Sequence, residues 1–436
     1  SGTVWVGSSG YGLLKYDSRI GRFHNWKDRS IGSMVPVPSG KVLVNRYFEF
    51  LSVFDPARRA YTTQIKKVKD VAAGLRVKAT ADYSDMAVQD ADGIYWLTMN
   101  HGELIRYDPR GAGAMELIAP VTGDGESAEG ALFPLLLDQK NVLWSGGQAA
   151  LWRLDVRTKE LTPFRWPVPE VSEPYAFTSA LHEGADGIIW AATMSGLLRL
   201  DPRSGEWKHY RSEAGNARSF PTDVLFCICP DPDDPKGVLW IGTSGGGLAR
   251  FDTRTGDVER ITTKNGLPND VVYGVLAEND GRLWMSTNKG IARYDRKIKA
   301  FRNFTVSDGL QSNEFNRYAY CKDVKGWLWF GGVNGFNYFD PNDLVEDSTA
   351  VPIRITSVYS MNRPLSFLDP GSPLSMPAYL STGMTIPHSA NMVSFSFASM
   401  EFGAPSLHRY QYKLEGFDPD WVDAGTNNTA SYTNLD

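Results

Sequence analysis

Apolar and polar positions alternate along the chain in short runs, and clusters of Gly, Asp and Asn separate the runs. A period of two over so few residues predicts half-buried β-strands joined by tight turns. One pattern recurs: a strand built around Trp, a Gly-rich turn, then a strand ending in an aromatic residue or Leu and an Asp. The copies read VWVGSSGYGLLKYD to Asp17, YWLTMNHGELIRYD to Asp108, LWSGGQAALWRLD to Asp155 and IWAATMSGLLRLD to Asp201. They continue with LWIGTSGGGLARFD to Asp252, LWMSTNKGIARYD to Asp295 and LWFGGVNGFNYFD to Asp340. VLVNRYFEFLSVFD, ending at Asp55, is a degenerate eighth copy with Leu43 where Trp is expected. The terminal Asp advances by about 46 residues per copy. Such a period, with four strands per copy, is the signature of β-propeller blades, and the chain is expected to be all-β.

One repeat shows how a blade is built. An inner strand, Val271 to Leu276, precedes an Asp280-Gly281 turn, where Gly supplies the positive φ of a tight hairpin. The Trp strand starts at Leu283, the hairpin Asn288-Lys289-Gly290 follows, a third strand ends at Tyr294-Asp295, and Phe301 to Phe304 closes the blade. The Trp is expected to pack between neighbouring blades, where a large flat side chain buries most area. Eight copies leave two ring sizes open. The first lacks an inner strand before Thr3, and the last lacks an outer strand of its own. A seven-bladed ring over 31–345 is favoured, with 1–30 as the end of a preceding propeller or a first blade; an eight-bladed ring is the alternative. After Pro341 the rhythm changes to longer alternating strands from Ile353, Val393 and Tyr410, which predicts a β-sandwich over 346–436.

Composition narrows the function. The 436 residues are 42% hydrophobic and 22% charged, which supports large cores. Net charge is −5 with no basic tract, so nucleic acid is not an expected partner. Three cysteines allow at most one disulfide. No apolar run reaches the roughly 20 residues that span a bilayer. The chain has neither an initiator Met nor a leader-like start. A leader removed far upstream and a fragment of a longer protein both fit, and a fragment is favoured.

Two stretches resemble a known family. Asn265-Gly266-Leu267-Pro268-Asn269-Asp270 and Leu283 to Gly290 look like two-component regulator propeller repeats. Asp308 to Asn316, followed by Phe330 to Pro341, resembles the last blade of that family. Tyr410 to Asp418, Asp420-Trp421 and Ala430 to Leu435 are similar to the Tyr-Tyr-Tyr sandwich that follows it. In that family further strands come after the position of Leu435, so the sandwich is expected to be incomplete here. The resemblance implies the extracytoplasmic sensor region of a hybrid two-component system, in the periplasm, part of an inner-membrane histidine kinase. It implies an oligosaccharide or other small ligand, a homodimer formed through the sandwich in the full receptor, and no catalysis by this segment. A propeller glycosidase or lyase and a protein-interaction propeller are the alternatives.

Candidate chemistry is sparse. The Asp-x-x-Gly turns before each Trp resemble the Asp-box of sialidase propellers, but serine and spacing differ, and they read as structural. His24 and His209 fall on outer strands, His182 beside a turn, His388 and His408 in the sandwich, and His101 in a loop. None has metal-ligand spacing, and neither a metal nor a cofactor is expected. Cys227 and Cys229 flank Ile228 on one strand and read as buried free thiols. Ligand binding has better candidates. Loops entering the inner strands and hairpins between second and third strands open on one face. The last blades place Asn313, Glu314, Asn316, Arg317 and Asn334 there, beside Asn269, Asp270 and Asn288. Amides, carboxylates and Arg near Phe315 and Tyr318 suit sugar hydroxyls or an acidic group.

Overall fold

The computed structural model describes residues 3–8, 12–17, 23–37, 39–46, 52–64, 84–99, 104–108, 115–118, 134–147, 150–158, 160–166, 177–344, 352–387, 392–400 and 410–433. His101, His388 and His408 lie outside the described residues. Two compact units emerge: Arg22–Leu344, and a second that joins Ser1–Gly21 to Val345–Asp436.

Among the described residues, the first unit contains seven four-stranded antiparallel sheets. Their inner strands are Ile31–Pro36, Ser84–Gln89, Leu135–Leu137, Thr178–Glu183, Leu225–Pro230, Val272–Ala277 and Phe315–Lys322. Each inner strand neighbours the next, and the seventh returns to the first, which closes a propeller ring. The six repeated tryptophans, Trp96, Trp144, Trp190, Trp240, Trp284 and Trp329, all fall on the second strand of their blades. All six are buried, and four of them meet an aromatic ring of the following blade. Trp190 lies 5.7 Å from Phe251, Trp240 6.1 Å from Tyr294, Trp284 4.9 Å from Phe339 and Trp329 6.0 Å from Phe54. The inter-blade seam is therefore Trp against the aromatic that precedes the terminal Asp.

The seventh blade is completed from far away in sequence. His24–Lys27 pairs antiparallel with Gly335–Phe339, from His24 opposite Tyr338 to Lys27 opposite Gly335. The missing outer strand of the last repeat is thus supplied by residues before the first. The boundary expected at 30/31 moves to 21/22 for this reason: Phe23 and Trp26 bury against blades six, seven and one, not against an earlier propeller. Phe23 sits 5.2 Å from Phe304 and 4.7 Å from Phe339, and Trp26 5.0 Å from Phe54. The first Trp repeat forms a separate hairpin, Thr3–Ser8 with Gly12–Asp17.

The second unit carries a four-stranded sheet, ordered Arg363–Pro364, Ile353–Ser360, Met392–Ser399 and Thr429–Thr433, and a two-stranded one, Tyr410–Tyr412 with Val422–Gly425. Its core is aromatic. Tyr410 packs 5.1 Å from Phe397, Tyr412 lies 5.9 Å from Tyr432, and the Tyr432 hydroxyl donates to Asp418 at 2.7 Å.

Candidate functional site at the channel mouth

Chain direction puts the incoming loops and the hairpins between second and third strands at one end of the inner strands. Backbone bonds knit that end into a belt. Gly196 N donates to Asp223 O at 2.7 Å, Gly247 N to Asp270 O at 2.8 Å, Gly290 N to Asn313 O at 2.6 Å, and Asp28 N to Asn334 O at 3.2 Å. The side chains at the same repeat position hold the loops themselves. Asp223 accepts from Ser212 N at 2.6 Å, Asp270 from Thr263 N at 2.7 Å, and Asn313 from Val306 N at 2.9 Å. Thr262 with Asn265, and Thr305 with Asp308, form capping boxes that end at Gly266 and Gly309, with φ of 105° and 104°. The Asn-Gly-Leu-Pro-Asn-Asp motif is therefore a loop-building device.

The remaining candidates divide. Asn269 accepts from Val271 N at 2.8 Å, and Asn334 N donates to the Gln311 side chain at 2.8 Å. Asn316 donates to Ser30 Oγ at 2.8 Å and Ile31 O at 2.7 Å, a tie between blade seven and blade one. The Asn288 side-chain oxygen is buried with no hydrogen-bond partner. Glu314 is exposed. Arg317 is different from all of these.

Each inner strand in blades one, two, four, five and six has one extra residue near its start, a β-bulge. The bulged positions are Gly32, Asp85, Ser179, Phe226 and Tyr273. A bulge leaves its residue off the ladder and re-aims the side chain. Blade seven departs from this pattern: Phe315 to Tyr320 spans five steps against two on its partner, from Gly332 to Phe330. Within this larger bulge Tyr318 has φ of 70°, a conformation rare for a bulky residue. The side chains of these bulges meet across blades. The Phe226 and Tyr273 rings stack at 5.6 Å with 20° between planes. The Arg317 guanidinium lies 5.0 Å from the Phe226 ring centroid and 4.7 Å from that of Tyr318, and it points a nitrogen at Met194 Sδ, 3.8 Å away. Met194 occupies the hairpin of blade four, so Arg317 reaches from blade seven to blades five and four. Phe177, at the start of blade four, is 45% exposed. The cluster is an aromatic platform with one cation parked on it.

Phe226 and Tyr273 were not distinguishable by sequence from ordinary inner-strand apolar residues. Their only signal is the one-residue slip that a bulge introduces, and a two-period reading passes over it. Other candidates among the described residues are tied into the fold. Burial pushes the Cys227 and Cys229 thiols up to about 12, and Cys321 is buried too. His209 bonds Ser195 O at 2.7 Å. At the opposite end of the ring, Asp233, Asp280, Arg282, Asp295, Arg296 and Lys297 line a cleft of about 260 Å³. There Arg296 pairs with Asp231 and Asp233, both at 2.6 Å, and Arg282 with Asp280 at 3.1 Å.

The comparisons agree with this architecture. Residues 266–289 match the two component regulator propeller family, and residues 401–436 match the Y_Y_Y domain. The propeller match thus precedes the Y_Y_Y match along the chain. Over 168 residues it is 24% identical to histidine kinase P4 of Formosa agariphila, a match that covers 38% of this chain and 12% of that protein. Its fold resembles the extracellular domain of the hybrid two component system BT3049 from B. thetaiotaomicron, with a TM-score of 0.73 and 19% identity. That match covers 100% of this chain and 56% of the other. The propeller resembles virginiamycin B lyase from Staphylococcus aureus, with a TM-score of 0.53 and 14% identity over 72% of this chain and 94% of that one.

Proposed function

We propose that this chain is the ligand-sensing extracytoplasmic region of a membrane-bound hybrid histidine kinase. Its propeller takes an oligosaccharide at the channel mouth, and its sandwich, paired with a second copy in the full receptor, passes the event toward the membrane. The order of modules supports the receptor reading, since a regulator propeller precedes a Y_Y_Y domain. The ligand reading rests on one observation: blade seven breaks the repeat to place Arg317 over the rings of Phe226 and Tyr318. Aromatic surface with a few convergent polar groups is the usual make-up of a small-ligand site. Differential affinity for two receptor arrangements would then carry the signal.

A glycan array followed by calorimetry on the 436-residue chain tests this. Saturable binding without product supports a sensor. Product formation would favour a glycosidase or lyase, and absence of binding across the array a protein-interaction propeller. Sedimentation with and without the bound glycan tests dimerisation.

A further inference from the structure

The Arg317 guanidinium is half-buried, yet its neighbours among the described residues are two ring faces and a thioether sulfur. Among the described residues it has no carboxylate within ion-pair distance, unlike Arg254, Arg282 and Arg296 in the same propeller. Rings attract a guanidinium through their faces but accept none of its in-plane N–H bonds, and sulfur is a weak acceptor. The planar fork of donors is thus positioned and largely unspent. That fork matches a carboxylate, which it can grip with two parallel bonds. The backbone commitment is local as well: the left-handed Tyr318 and the enlarged bulge belong to blade seven alone among the described inner strands. Strain of this kind persists where the surroundings hold it, and it gathers at ligand clamps.

We propose that the channel mouth is specific for an acidic saccharide, one whose ring carries a carboxylate. Arg317 takes the carboxylate, and the partly exposed Tyr273 ring, backed by buried Phe226, takes the apolar face of the sugar ring. This rests on the sensor reading above and gives it a ligand class. The carboxylate replaces water around the guanidinium without displacing a protein anion, so no internal ion pair has to break. Arg317 sets the acid-over-neutral preference, and the Tyr273 ring sets affinity common to both.

The test uses the full chain and a calorimetric panel of uronic acid trimers (galacturonate, glucuronate, mannuronate and guluronate), each beside its carboxyl-reduced counterpart. At least one acidic trimer is expected to bind about tenfold or more tightly than its reduced form. In Arg317→Gln that ratio should fall to near one while the neutral trimer keeps its affinity, and Arg317→Lys should recover part of it. Tyr273→Leu should weaken both forms alike. Equal affinity for acidic and reduced trimers overturns the proposal, as does a ratio that survives in Arg317→Gln. Binding of neutral glycans alone overturns the carboxylate assignment and leaves the sensor reading standing. No binding of any glycan overturns both. The thermal midpoint of each variant separates lost recognition from lost folding.

Discussion

At the residue scale, the repeated Trp is half of a pair. Six positions before it in most blades stands an acid that caps the turn and also accepts the indole N–H. Asp90 serves Trp96 at 2.9 Å, Asp138 serves Trp144 at 3.0 Å, and Asp323 serves Trp329 at 3.1 Å. Asp231 does so for Trp240 at 2.8 Å across a longer turn, and Glu278 replaces Asp before Trp284. Blade one has lost both partners, with Val37 and Leu43 buried in one cluster. The sequence shows the acids as turn formers, but their second role depends on which strand pairs with which and is not visible locally. Blade four keeps Trp190 and has Gly184 at the acid's position. Its turn, Gly184-Ala185-Asp186-Gly187, otherwise matches Asp90-Ala91-Asp92-Gly93. Gly184→Asp is therefore expected to stabilise the chain by about 1 kcal/mol, through one indole bond and reduced freedom of the unfolded chain. Chemical denaturation checks it; a lower midpoint would mean that crowding with Asp186 dominates. The same blade holds His182, opposite Trp190. Burial pushes its imidazole down to about 4, with Asp186 opposing. A folded-state value below the ordinary one favours the neutral ring. This contribution is whole above about pH 6.5 and is lost as the pH falls toward 4. Wild-type stability should thus fall more steeply between pH 6.5 and 5 than that of His182→Gln, and parallel curves would reject the assignment.

At the element scale, strand positions were legible and long-range pairings were not. The expected inner strand Val271 to Leu276 is observed as Val272–Ala277, and the outer strand from Phe301 as Ala300–Phe304. Local alternation and turn residues carry that information. The closing strand carries none of it, because its partner lies about 310 residues away and any exposed tetrapeptide edge would look the same. Geometry nonetheless shows that it obeys the blade rule. The first residue of the third strand is a left-handed Gly in blades four, six and seven: Gly196, Gly290 and Gly335, with φ of 110°, 94° and 108°. A methyl at each would strike a carbonyl of the outer strand, from Tyr210, Phe304 and Trp26 respectively. Trp26 thus crowds Gly335 as Phe304 crowds Gly290. Gly290→Ala is expected to cost more than about 2 kcal/mol, since strain and backbone collision add. Gly187→Ala, with φ of 78° and open space around it, should cost about 1 kcal/mol. Equal losses for the two would remove the collision from the account.

At the scale of the whole molecule, blade seven gathers three roles. It bears Arg317, it receives the closing strand, and its buried Asn337 links the two. A buried network ties these parts together. Asn337 accepts from Gln311 N at 2.8 Å and donates to Gly309 O at 3.2 Å and His24 O at 3.4 Å. The loop that leads into the Arg317 bulge and the closing strand therefore share one fully buried amide. Blades touch only their neighbours, so a ring without its closing strand has a three-stranded blade with Phe336 and Phe339 uncovered at its edge. A chain beginning at residue 31 should unfold at clearly lower denaturant than one beginning at residue 22, and its blade-seven amides should exchange first. A peptide of residues 23–29 should restore the midpoint by adding the missing strand, with Phe23 and Trp26 as anchors. If the two chains unfold together, the strand is dispensable and the ring is closed by inner-strand contacts alone. If they differ but the peptide fails to rescue, the loss comes from tethering and not from the strand's side chains.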